Sequence, residues 1–147
     1  GGGFGVLAAD ECERQGLKIP GTAKNLRKKF EKIFPQYAIL NNPIDLTGNA
    51  TTEGFKVAIE ECLKSKEYDA VIAITLFQVP SLEERITDVI IDLKKYRKPI
   101  LCCATGGGYT IRLSRILEKN NIPVYVTPER AAKALKALVR YKEWSKR

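Results

Sequence analysis

The residues of this chain that could do chemistry are mostly glycines. Three segments combine them with a following helix start: Gly1 to Gly5 (GGGFG), Asp45 to Thr51 (DLTGNAT) and Ala104 to Thr110 (ATGGGYT). Glycine lets backbone amides crowd an anion, and the positive end of a helix dipole favours the same charge, so such segments suit phosphate or carboxylate. Histidine is absent from the sequence. No Ser, His and Asp set and no Cys and His pair can therefore be assembled, and Asp45 is the only carboxylate in the three segments. An Asp two residues after a proline serves as a turn or cap residue more readily than as a catalyst. The chain shows no covalent chemistry of its own.

Each segment has a plainer reading beside the functional one. Gly3, Gly5 and Ala8 fit the dinucleotide fingerprint G-x-G-x-x-A, but between Arg14 and Phe30 there is no Asp or Glu to hold a ribose. Gly1 to Gly5 could equally be a frayed terminus. ATGGG lacks the Lys and Ser or Thr of a P-loop and could be only a flexible strand-to-helix turn. DLTGNAT could be a turn shaped by Pro43 and Gly48, with Thr51 as N-cap, yet its Thr and Gly would leave amides free for an anion.

The elements that must position these segments follow from periodicity. Short apolar runs alternate with amphipathic helices from Tyr68 onward, the pattern of a parallel sheet covered on its faces. Strands are expected at Asp69 to Phe77, Lys98 to Thr105 and Ile122 to Val126. Helices are expected after each: one beginning at Ser81, with Ser81 and Glu84 as a capping box and Leu82, Ile86, Val89, Ile90 and Leu93 on one stripe; one over Tyr109 to Asn120; and one opened by Thr127 and Pro128. The first half predicts helices at Gly5 to Gln15, Thr22 to Phe34 and Thr52 to Lys64, with a strand at Tyr37 to Leu40. A helix opened by GGGFG should be fed by a buried strand, so we expect a first strand upstream of Gly1 and a chain that is part of a longer polypeptide.

Bulk properties narrow the class. The 147 residues suit one domain spanning 1–147, able to bury roughly 68–70% of its unfolded surface. Hydrophobic content of 44% and charged content of 29% are those of a soluble globular protein, and the longest apolar run, Ala70 to Phe77, is too short to span a bilayer. A cytoplasmic protein without membrane contact is expected. Cys12, Cys62, Cys102 and Cys103 form no CxxC pair, so no metal site is expected; Cys102 and Cys103 should face opposite sides of a strand as small hydrophobes. The net charge of +8 is concentrated in Lys24 to Lys32 and Glu129 to Arg147. Both stretches have helical apolar spacing, which makes their lysines the wet faces of packed helices rather than a nucleic-acid surface. The Lys and Glu enrichment also suits a protein that works hot.

The order GGGFGVLAADECERQGL, NNPIDLTGNATTEGF, YDAVIAITLF, KPILCCAT and NIPVYVTPERAAKALKALVRYKEW resembles, over essentially the whole chain, the last subdomain of the alpha subunit of ADP-forming acetyl-CoA or acyl-CoA synthetases. It is also similar to the C-terminal domain of the succinyl-CoA synthetase beta subunit. The resemblance implies a flavodoxin-like α/β three-layer sandwich with a mostly parallel sheet. It implies a module of an acid–thiol ligase that converts acyl-CoA, phosphate and ADP to acid, CoA and ATP through an acyl phosphate and a phosphorylated histidine carried upstream. Gly2, Gly3 and Gly5, with Thr47, Gly48 and Asn49, would then line the phosphate and acyl-substrate site. The full enzyme would use CoA, ADP or ATP, phosphate and Mg2+. Its partners would be histidine-bearing and CoA-binding subdomains and an ATP-grasp subunit or domain, in a hetero-oligomer; this chain alone is expected to be inactive. The alternative is a stand-alone flavodoxin- or Rossmann-like module that holds a nucleotide with Gly3 and Gly5.

Overall fold

The computed structural model describes residues 2–146, so Gly1 of the first glycine segment and Arg147 of the basic tail lie outside the described residues. Three helices come first: α1 (Gly2–Arg14), α2 (Lys24–Glu31) and α3 (Thr52–Lys64). Strands and helices then alternate as β1 (Val71–Ile74), α4 (Ile86–Asp92), β2 (Ile100–Cys103), α5 (Gly108–Lys119), β3 (Val124–Tyr125) and α6 (Pro128–Trp144). The strands form one parallel sheet in the order β1-β2-β3, with Val71 opposite Ile100 and Cys102 opposite Val124.

The sheet lies between two helical layers. Helices α3, α4 and α5 pack side by side on one face, while α6 crosses all three strands on the other and carries α1 on its back. The larger core fills the first interface, where Ile86, Ile90, Leu113 and Leu117 of α4 and α5 meet Ala73 and Cys102 of the sheet. Full burial of each such Leu or Ile is worth about 1.5–3 kcal/mol. The β2 sequence ILCC alternates as expected: Cys102 belongs to this core, whereas the adjacent Cys103 is buried outside it. Burial pushes the Cys102 thiol up to about 12 and the Cys103 thiol to about 11. At neutral pH both are therefore protonated core groups, poor nucleophiles. On α1 the buried Gly5, Ala8, Glu11 and Cys12 recur at helical spacing toward α6. Glu11 tolerates burial because Gln15 donates to it at 2.7 Å and Arg14 pairs with it; these contacts hold its carboxyl below the ordinary range.

Several local expectations are corrected. Helix α1 begins at Gly2 rather than Gly5, so the glycines form its first turn and not a loop before it. Only Ile39 pairs in the expected strand at Tyr37 to Leu40, as a single antiparallel bridge to Asp45. Helix α2 is shorter than Thr22 to Phe34, trimmed to the turns around Leu26 and Phe30, which with Cys62 and Tyr68 build a second, smaller core. The capping box at Ser81 and Glu84 does not form, because Ser81 donates instead to the Ala50 carbonyl at 2.8 Å and α4 starts five residues later. The Glu83 amide that a local cap would have satisfied finds Thr52 Oγ1, 31 residues away, at 2.8 Å.

Candidate functional site

The fold brings the first two glycine segments together. A Cβ on Gly2 would lie 2.5 Å from Asp45 Oδ2, and one on Gly5 would touch the Pro43 ring at 3.5 Å. Glycine at position 2 is thus what allows the Asp45 carboxylate to approach the first turn of α1, where the helix dipole favours a negative charge. Asp45 has a second task. Its Oδ1 accepts the Thr47 amide at 2.8 Å, fixing a turn in which Thr47 adopts a left-handed backbone with φ 66°. The hydroxyl of Thr47 is buried and has no partner among the described residues.

Beyond that turn the chain opens. Gly48 and Asn49 are exposed, and a Cβ on Gly48 would meet nothing within 4 Å. Gly48 also lacks a positive φ. Neither crowding nor backbone conformation calls for glycine there, and its effect is to leave backbone bare beside the start of α3. Thr51 caps α3 by accepting the Gly54 amide at 3.1 Å, and Glu53 lies in the first turn.

The third segment stands near the second through one connection. Residues 75–83, between β1 and α4, are tied at one end to the α3 turn by Ser81 and Glu83, and at the other to the α5 turn by Gln78 Nε2, which donates to the Thr105 carbonyl at 2.9 Å. The α5 turn differs from its neighbour in having no side-chain cap at Gly107. Next to it Thr75, fully buried, and Thr110, 3% exposed, have hydroxyls without a partner among the described residues. Sequence reasoning singled out the segment from Ala104 to Thr110 but missed Thr75 and Gln78. A threonine at the end of a buried apolar run was the available signal.

The six residues singled out from sequence are therefore distributed as follows. Gly2 and Gly5 lie against the Pro43 to Asp45 loop, Gly3 is exposed on the same first turn, and Thr47, Gly48 and Asn49 follow from the turn that Asp45 organises. No His, Cys, Asp and Glu set of three or more converges among the described residues. No described helix is long and apolar enough to cross a membrane. What the arrangement offers is backbone amides at helix starts, which stabilise oxyanions without changing protonation state.

Comparison with known proteins gives the family. Residues 1–142 match the model of a family described as a Ligase-CoA domain. The alpha subunit of acetate–CoA ligase (ADP-forming) I from Pyrococcus furiosus is 34% identical over 98% of this chain, which covers 32% of that relative. The 4-hydroxybutyrate–CoA ligase (ADP-forming) of Nitrosopumilus maritimus is 27% identical over 99% of this chain and is covered over 21% of its length. Among solved structures, the dinucleotide-forming acetyl-coenzyme A synthetase 1 of Ca. Korarchaeum cryptofilum superposes with a TM-score of 0.87 at 29% identity, over 97% of this chain and 32% of that one. The same protein has been solved in complex with phosphate and ADP. This chain thus spans about a third or less of these relatives.

Proposed function

The chain belongs to the Ligase-CoA domain family, and from that premise we propose that it is one module of an ADP-forming acyl-CoA synthetase. In that reading the module supplies a phosphate and acyl-substrate wall for the reaction of acyl-CoA, ADP and phosphate to acid, CoA and ATP. The observation that supports it is the junction of the α1 start with the Asp45 to Asn49 turn, made by the approach of Asp45 to Gly2 and of Pro43 to Gly5. Gly3 faces the transferring phosphate from the first turn of α1, and Gly2 and Gly5 let Asp45 and Pro43 pack against that turn. Thr47, Gly48 and Asn49 present the bare backbone before α3 to phosphate or acyl substrate, and the orphaned Thr47 hydroxyl suits the same guest.

In this role the chain binds and orients, and it exchanges no proton. Amides and a helix dipole stabilise charge on a moving phosphoryl group without any ionisable side chain. The histidine that carries phosphate, the CoA-binding part and the ATP-grasp part belong to the rest of the enzyme, consistent with the share of the relatives that this chain covers. We assign Mg2+ and nucleotide to those parts as well.

The test uses the full-length enzyme and the 147-residue chain side by side. ADP- and phosphate-dependent release of CoA from acetyl-CoA should be measurable in the first and absent from the second. Thioester cleavage by this chain alone would refute the division of labour, and a full-length enzyme that ignores phosphate would refute the reaction.

A further inference from the structure

The most unusual chemistry left over lies at the β2–α5 turn, which the reading above does not use. A buried hydroxyl without a partner is costly, and natural structures keep few of them. Here two occur together: Thr75 follows β1 directly, its amide bound to the Cys103 carbonyl at the end of β2 at 2.9 Å, and Thr110 stands in the first turn of α5. The Thr110 hydroxyl is aimed at the turn itself. A Cβ built on Gly106 would fall inside contact distance of both Thr110 Oγ1 and Gln78 Nε2, so a hydroxyl and an amide NH2 converge on the bare face of that glycine. The same place is the start of a 12-residue helix whose first amides have no side-chain cap, with Gly107 and Gly108 open on their side-chain faces.

We propose that this turn is a second binding site, for a small oxyanion, with Thr110, Gln78 and the first amides of α5 as its donors and Thr75 beneath them. All the donors are neutral. The nearest guanidinium on α5, Arg112, is already paired with Glu84. A neutral donor set holds a single negative charge well and a double one less well. The ligand class is therefore a carboxylate or a singly charged phosphate. Because the segment 75–83 is hydrogen-bonded to this turn at one end and to the α3 turn at the other, the two anion sites share one connection. A reaction that passes a phosphoryl group to and from a carboxylate needs two such neighbouring places. The site itself stands on its own donors and does not require the phosphate assignment at Thr47 to Asn49.

The experiment is a titration of the 15N-labelled 147-residue chain, followed by amide NMR shifts, with sodium acetate in one arm and sodium phosphate in the other. Sodium chloride holds ionic strength constant. Saturable shifts of the Gly106 to Thr110 amides in the acetate arm identify a carboxylate site, and in the phosphate arm a phosphate site. Thr110→Val should raise the half-saturating concentration at least tenfold while leaving the melting temperature unchanged or higher, since Oγ1 has no partner to lose. Gln78→Ala, on an exposed side chain, should weaken it several-fold and serves as the second variant. The proposal is overturned if neither anion gives a saturable response in this turn, or if both variants respond like the parent. Shifts confined to Thr47 to Asn49 would support the other site and still overturn this one.

Discussion

The turn leading into α3 brings its own acceptors, and the turn leading into α5 brings none. Asp45 takes the Thr47 amide and Thr51 takes the Gly54 amide, so much of the first is satisfied from within. In the second, Gly107 stands where a cap would be, and two threonine hydroxyls are buried without partners among the described residues. Both turns contain glycines that nothing crowds, Gly48 in one and Gly107 and Gly108 in the other, yet Gly106 is in close contact on its side-chain face. The difference teaches that a glycine-rich turn is not one kind of object. One is a preformed loop that keeps its shape without a guest, and the other is a donor set that gains its missing acceptors from one.

Five substitutions would break or sharpen this contrast. Gly48→Val in the full-length enzyme should leave the fold intact and lower turnover roughly 10- to 100-fold, the size of effect expected when backbone donors to a transferring group are blocked. Parent-like kcat from a folded variant would remove the α3 turn from the site. Gly106→Ala should cost about 2 kcal/mol in urea unfolding, because its Cβ meets Gln78 and Thr110 and its φ of 155° is one that side chains rarely adopt. If it unfolds at the parent's midpoint, the convergence on Gly106 is wrong. Thr51→Ala should cost about 1 kcal/mol through loss of the α3 cap, whereas Gly107→Asp should add a few tenths by supplying the cap that α5 lacks. Equal effects in the two urea series would erase the difference between the turns. Asp45→Asn keeps an acceptor for the Thr47 amide but removes the charge facing the α1 start, so inorganic phosphate should bind that region a few-fold more tightly. Weaker binding in the same NMR titration would show that the Asp45 charge helps rather than competes.

The sequence carried much of the fold because its signals were local and repeated. Thr51 and the residues of α3, and Thr127 with Pro128 opening α6, were readable to the residue: cap, first-turn acid and apolar stripe all agree within a dozen positions. The three strands were readable in place, though each is shorter than its apolar run, since parallel pairing ends where the neighbouring strand ends. Ser81 failed for the opposite reason. Its capping pattern was genuine, but Ala50 and Thr52 from another part of the chain offered better partners.

By itself, then, the sequence determined the helix and strand periodicities, the glycine segments and the lack of histidine. These depend on residue types within a few positions of one another. Only the tertiary structure decided that Asp45 reaches the α1 start, that the connection after β1 ties two turns together, and that Thr75 and Thr110 are left without partners among the described residues. Each of those is a contact or hydrogen bond made or missing between residues far apart in the chain, and no local pattern encodes which distant group will arrive.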